Sequence, residues 1–178
     1  MSLGDRNRLL VPISEQDHIQ GWVSASVALV EYGDYQCPTC GEVHQLIKAI
    51  QTQVNDLCFV FRHFPQSQIH LYALRTAEAA EAAAAQGQFW QMHDLLFTHQ
   101  QALGNAYLVE YANHLRLDIP RFLQDISSQV HLDRIHKDIE SGHHSKVTAA
   151  PALFINGIRY HDRWNIEPLI AAIVTTNH

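Results

Sequence analysis

The sequence predicts an α/β domain interrupted by a block of helices. Three observations carry that prediction. A short apolar run, Val27 to Val30, closes on Glu31-Tyr32-Gly33 and gives way at Pro38 to a helical pattern and then to a second apolar run, Leu57 to Phe61. Residues 68 to 146 contain almost nothing strand-like. The chain then finishes with two short apolar runs joined at Asn156-Gly157, followed by a helix over Ile166 to Val174.

Taken in order, residues 1 to 24 are polar and weakly patterned apart from Leu9 to Ile13, and read as an extended lead-in along a sheet edge. The run from Val27 is short, apolar and ended by a breaker, as expected for a strand buried on both faces. From Pro38, Val43, Leu46, Ile47 and Ile50 recur at three- and four-residue spacing; Pro38 is tolerated because the first helical turn has no backbone donor to lose. Strand, helix and strand over 27–62 favour a parallel crossover. In the middle, Leu74, Ala77, Ala80 and Ala84 share a helix face that Gly87 can cap, and Trp90, His93 and Phe97 share the next. Further helices are expected over Tyr107 to Leu115, from near Pro120 with Asp118 as cap, and through Leu132, Ile135 and Ile139. Asn156-Gly157 is the dipeptide that best accepts the positive φ angles of a tight hairpin.

Composition narrows the function classes. The 178 residues are 47% hydrophobic and 17% charged with a net charge of -6, which argues against a disordered tail or a nucleic-acid binder. No stretch reaches the roughly eighteen apolar residues that span a bilayer, and the N-terminus lacks an export signal, so the chain reads as cytoplasmic and without a membrane segment. The opening Met-Ser-Leu-Gly also suits a leader in place of native residues, which leaves a periplasmic or membrane-fused setting open. The thirteen histidines are dispersed and form no metal-binding tract. Three cysteines, two of them three residues apart, fit a reactive dithiol plus one leftover rather than a stapling framework.

The dithiol is Cys37-Pro38-Thr39-Cys40, at the seam between a buried strand and a helix. Unpaired backbone donors and the helix dipole at that point favour an anion, so Cys37 should ionise below the usual thiol pKa of about 8.5. Its thiolate can attack a disulfide, and Cys40, one turn on, can resolve the mixed disulfide. Pro38 stiffens the loop and Thr39 adds a hydroxyl without a charge. The competing reading of such a pair is half of a zinc site, with Cys58 and histidines such as His44 as the remaining ligand candidates; the balance falls on no metal and no other cofactor. Cys58 reads as a buried strand residue that stays reduced, and His44 as solvent-facing. Glu31, in mid-strand six residues before Cys37, reads as a buried carboxylate able to move the proton that Cys40 must lose. Phe64, Trp90 and Trp164 read as core.

Four segments together resemble the DsbA-like thioredoxin-fold thiol-disulfide oxidoreductases: Val-Glu-Tyr-Gly-Asp-Tyr-Gln-Cys-Pro-Thr-Cys (30–40), Phe-Arg-His-Phe-Pro (61–65), Ala-Ala-Glu-Ala-Ala-Ala-Ala-Gln-Gly-Gln-Phe-Trp-Gln-Met-His-Asp (79–94) and Val-Thr-Ala-Ala-Pro-Ala-Leu-Phe-Ile-Asn-Gly (147–157). The resemblance implies a thioredoxin-like fold with an inserted helical domain: lead-in 1–24, core 25–66 and 147–178, insertion 67–146. It makes Cys37 the exposed nucleophile and Cys40 the resolving thiol. It also makes Pro151 a cis-proline opposite the dithiol, with Ala150 presenting backbone to an extended substrate, and puts an acidic residue at position 31. Disulfide- or dithiol-containing proteins are the implied partners, with recycling by glutathione or a thioredoxin-like protein.

Two departures bear on direction. Thr39 stands where strongly oxidising members carry a histidine, and Ala150 where valine or threonine is common; oxidase, reductase and isomerase roles stay open. Two other classes remain: a redox-sensing or metal-binding module on the same fold, and a glutathione-dependent isomerase or transferase. Related modules are also fused to membrane transporters, so the chain equally reads as one domain of a longer protein.

Overall fold

The computed structural model describes residues 7–176, so the opening Met-Ser-Leu-Gly lies outside the described residues. Among the described residues, four strands and seven helices follow the predicted order, and a fifth strand forms within the lead-in. The strands are β1 (His18–Gly21), β2 (Val27–Gly33), β3 (Leu57–His63), β4 (Ala152–Ile155) and β5 (Ile158–Arg159). Helix α1 (Pro38–Gln53) joins β2 to β3. Between β3 and β4 lie α2 (Ala73–Ala84), α3 (Phe89–Thr98), α4 (Asn105–His114), α5 (Ile119–Ser127) and α6 (Leu132–His144), and α7 (Ile166–Thr176) ends the chain.

The sheet order is β1-β3-β2-β4-β5, with β2 and β3 parallel and the other neighbours antiparallel. The lead-in therefore does supply an edge strand. Central β2 and β3 are buried along almost their whole length, as their unbroken apolar runs require. One sheet face packs Leu29, Phe59, Phe61, Leu153 and Ile155 under α1, α7 and the helical block. The other packs Val30, Tyr32, Val60 and Phe154 under Leu9 and Ile13 of the lead-in and Ile139 of α6. Cys58 is fully buried on this second face, where burial first and the Asp17 charge second raise its thiol pKa.

Local signals explain most boundaries. Asp118 caps α5 by accepting the Arg121 N–H at 3.0 Å. Gly87 lies past the end of α2 at φ +79°. Asn156 and Gly157 take φ 48° and 79°, the pair of positive angles that a two-residue hairpin with the sheet's twist demands. Helix α4 starts two residues before Tyr107, at Asn105. Phe64 is buried, and the Trp90 indole donates to the Ile19 carbonyl at 3.2 Å, so both serve packing.

The lead-in is fastened by a residue whose role no local pattern shows. Arg62, buried in β3, forks onto Asp17 at 2.8 and 3.0 Å and also reaches the Val11 and Pro12 carbonyls and the Tyr32 hydroxyl. All its donors are occupied by one loop and one strand. Removing Asp17 strands a buried guanidinium, so Asp17→Ala should destabilise the fold by about 3–5 kcal/mol in urea unfolding. A loss below about 1 kcal/mol would show that the lead-in is not held this way.

Candidate active site

Cys37 is the N-cap of α1, with Pro38 at the first helical position and backbone angles (φ -70°, ψ 120°) still extended. Strand β2 delivers it there through the tight turn at Asp34, whose carbonyl accepts the Cys37 N–H at 3.1 Å. The Asp34 side chain is buried and accepts from the Gln36 N–H, the Gln66 N–H and His70 Nδ1 at 2.8, 2.9 and 2.7 Å. It thus ties the dithiol loop to the loop after β3. An aspartate closing a turn on the N–H two residues ahead is a recognisable sequence signal.

Tyr35 underpins the loop: its ring stacks on Phe61 and its hydroxyl hydrogen bonds His93 Nδ1 of α3 at 2.9 Å. Gln100, just past α3, donates its side-chain amide to the Tyr35 and Cys37 carbonyls at 2.9 and 2.8 Å. The space it uses exists because residue 41 is glycine; a Cβ there would lie 2.3 Å from the Gln100 Oε1. The helical block therefore holds the dithiol loop directly, through a contact that no sequence spacing announces.

Cys37 is 7% exposed and Cys40 0%. Cys37 is thus the more accessible of the two sulfurs but is buried rather than exposed as the resemblance implied, and its Sγ lies 3.7 Å from the Ala150 carbonyl. The Ala150–Pro151 peptide bond is cis, and the Ala150 N–H points to Gln66 Oε1 at 3.1 Å. Strand β4, which follows Pro151, pairs with β2 and so sets this segment beside the dithiol.

The electrostatics separate the two sulfurs. Cys37 is pulled down to about 6, first by the hydrogen bond from the Cys40 thiol; burial opposes this, while the Cys40 and Thr39 backbone N–H groups add to it. Cys40 is pushed well above the ordinary thiol range by burial, by donating to Cys37 and by nearby negative charge. Glu31 is 1% exposed, its Oε1 has no hydrogen-bond partner among the described residues, and burial followed by the Cys37 charge lifts its pKa to about 8. Its register explains this: it sits between Phe61 of β3 and Leu153 of β4 in the middle of the sheet.

His44 corrects the reading from sequence. It is 4% exposed, its ring stacks on Phe97 at 4.9 Å, and burial lowers its pKa to about 4, so it is a neutral interior residue. Two groups among the described residues bring three metal-capable side chains together, His18/His63/Glu81 and His44/His93/Asp94, and neither contains a cysteine. In the first, both histidine Nε2 atoms hydrogen bond Glu81 Oε1 at 2.6 and 2.7 Å, so each side chain already has a partner.

The family model Thioredoxin_4 (thioredoxin) matches residues 14–174. Among curated proteins, the chain is similar to the Na(+)/H(+) antiporter NhaA 3 of Salinispora tropica, 41% identical over 94% of this chain and 26% of the antiporter. It is also similar to NhaA 1 of Mycolicibacterium gilvum, 42% identical over 93% of this chain and 28% of that protein. The chain thus spans about a quarter of the length of these relatives, and no helix among the described residues is long and apolar enough to cross a membrane. Among solved structures, oxidised BdbD from Bacillus subtilis superposes with TM-score 0.82 at 19% identity, over 93% of this chain and 95% of that one. Wolbachia pipientis alpha-DsbA1 superposes with TM-score 0.81 at 19% identity, over 95% and 94%. At such identities the likeness is one of fold, and together with the sequence match from 14 to 174 it leads to one conclusion: this chain belongs to the thioredoxin family and has the DsbA-like architecture.

Proposed function

We propose that the protein is a thiol-disulfide oxidoreductase working through a mixed disulfide on Cys37. The observation that carries this is the split between the two sulfurs: Cys37 ionises near pH 6 while Cys40, one turn away, keeps its proton. At neutral pH a thiolate and its resolving thiol coexist, which is the state that exchange chemistry needs. Residues 25–66 and 147–178 form the redox core in this reading, and 67–146 the insertion that braces it.

The Cys37 thiolate attacks one sulfur of a substrate disulfide, and the other sulfur leaves as a thiolate. That bond formation removes the negative charge at Cys37, which is the second cause of the raised Glu31 pKa. Glu31 then ionises more readily, and its carboxylate can take the Cys40 proton. The Cys40 thiolate attacks Cys37 and expels the second substrate thiolate, leaving the Cys37–Cys40 disulfide and a reduced substrate. The reverse sequence oxidises a substrate dithiol. Pro38 and Thr39 hold the loop, and Ala150 and Pro151 offer backbone to a bound polypeptide by strand addition.

Exposed Ile69 and Leu71 support disulfide-containing proteins as substrates, since both sit on the loop that Asp34 ties to the dithiol. The antiporter relatives support a module working within a longer chain. Glutathione or a thioredoxin-like protein would restore its starting redox state.

Alkylation of Cys37 by iodoacetamide should rise with pH to a plateau with a midpoint near 6, because the reactive thiolate accumulates above the folded pKa. A midpoint near 8.5 would mean an ordinary thiol and remove the basis of the assignment. Cys40→Ser should trap covalent complexes with a disulfide-bearing protein, and Cys37→Ser should trap none. In stopped-flow exchange, Glu31→Gln should slow resolution by on the order of 10²-fold while leaving formation of the mixed disulfide nearly unaltered. Equal rates for both steps in Glu31→Gln and the unmodified protein would exclude Glu31 as the proton acceptor.

A further inference from the structure

The Ala150 backbone has two hydrogen-bonding groups beside the dithiol, and in the free protein its N–H already has a partner. Its carbonyl faces the Cys37 Sγ at 3.7 Å. Its N–H donates to the Gln66 side-chain oxygen at 3.1 Å. An extended polypeptide pairing with Ala150 would use the same N–H, through one of its own backbone carbonyls. A side-chain amide carbonyl is chemically the same acceptor.

Gln66 is placed for this by the loop rather than by chance contact. Phe64 N–H donates to the Gly33 carbonyl at 2.8 Å, and Pro65 fixes the next φ. The Gln66 N–H is then held by the Asp34 carboxylate at 2.9 Å, while His70, four residues on, is held by the same oxygen at 2.7 Å. With its backbone anchored to the dithiol turn, the half-buried side chain reaches across to Ala150.

We propose that Gln66 is a specificity-determining residue that occupies the backbone-carbonyl position of an extended polypeptide substrate and must be displaced when one binds. This rests on the exchange reading above and names its selectivity. A polypeptide competes with an acceptor already in place, so its apparent affinity is lowered by the fraction of molecules in which Gln66 has swung away. A small disulfide without a peptide backbone needs only the sulfur of Cys37 and meets no such competition. The side chain therefore narrows the preference for polypeptides over small disulfides and keeps the Ala150 N–H satisfied between turnovers.

The test compares the unmodified chain, Gln66→Ala and Gln66→Glu on two substrates: an unfolded polypeptide carrying one disulfide, and hydroxyethyl disulfide. In Gln66→Ala the ratio of kcat/KM for polypeptide over hydroxyethyl disulfide should rise roughly threefold to tenfold, the effect of one net hydrogen bond, and the gain should lie in the polypeptide KM rather than in kcat. Gln66→Glu, which keeps an acceptor of the same reach, should bring the ratio back. An unchanged or lowered ratio in Gln66→Ala overturns the proposal, as does a parallel change for both substrates, which would mark a general disturbance of the loop. If the unmodified chain turns over neither substrate, the exchange reading itself falls and takes this one with it.

Discussion

The lowered pKa of the Cys37 thiol is the constraint on which the proposed chemistry depends. The hydrogen bond from the Cys40 thiol does most to hold it, and the backbone donors of Cys40 and Thr39 assist because Cys37 stands at the N-cap of α1. That placement depends on β2 ending at Gly33, four residues before Cys37. It depends equally on the Asp34 turn, on Tyr35 wedged against Phe61 and His93, and on Gln100 binding two carbonyls of the loop. Burial raises Glu31 at the centre of the sheet and the Cys37 charge adds to it, so ionisation of Cys37 and protonation of Glu31 beneath it are coupled.

Thr39 brings no cationic partner to the thiolate, yet the Cys37 pKa still falls to about 6. The cysteine–cysteine hydrogen bond and the helix start thus do part of what a neighbouring cation would do. The more the thiolate is favoured, the more the reduced form is stabilised and the more readily the disulfide gives up its oxidising equivalents.

The elements legible in the sequence were those fixed by local chemistry. Unbroken apolar runs located β2 and β3, helical periodicity located α1, Asn156-Gly157 located the hairpin, and Asp118 located a cap; the place of Cys37 and Cys40 at the seam of strand and helix marked the candidate site. Mid-strand placement was enough to expect Glu31 to be buried. The missed features are products of long-range packing. His44 looked like one polar residue on a helix, but α3 brings Phe97 over it and turns it into core. Arg62, Gln66 and Gln100 each act on backbone that is distant in sequence, and nothing local to a glutamine or arginine says which carbonyl or N–H it will meet. The resemblance implied an exposed Cys37, whereas it is 7% exposed, with the Ala150 carbonyl 3.7 Å from its sulfur.

The equilibrium reduction potential of the Cys37–Cys40 pair against glutathione, with Cys58 replaced by alanine, measures directly how strongly the fold favours the reduced dithiol. A thiolate of intermediate stability predicts a value between about -120 and about -270 mV. A value below about -270 mV, or no Cys37–Cys40 disulfide at all, would contradict it.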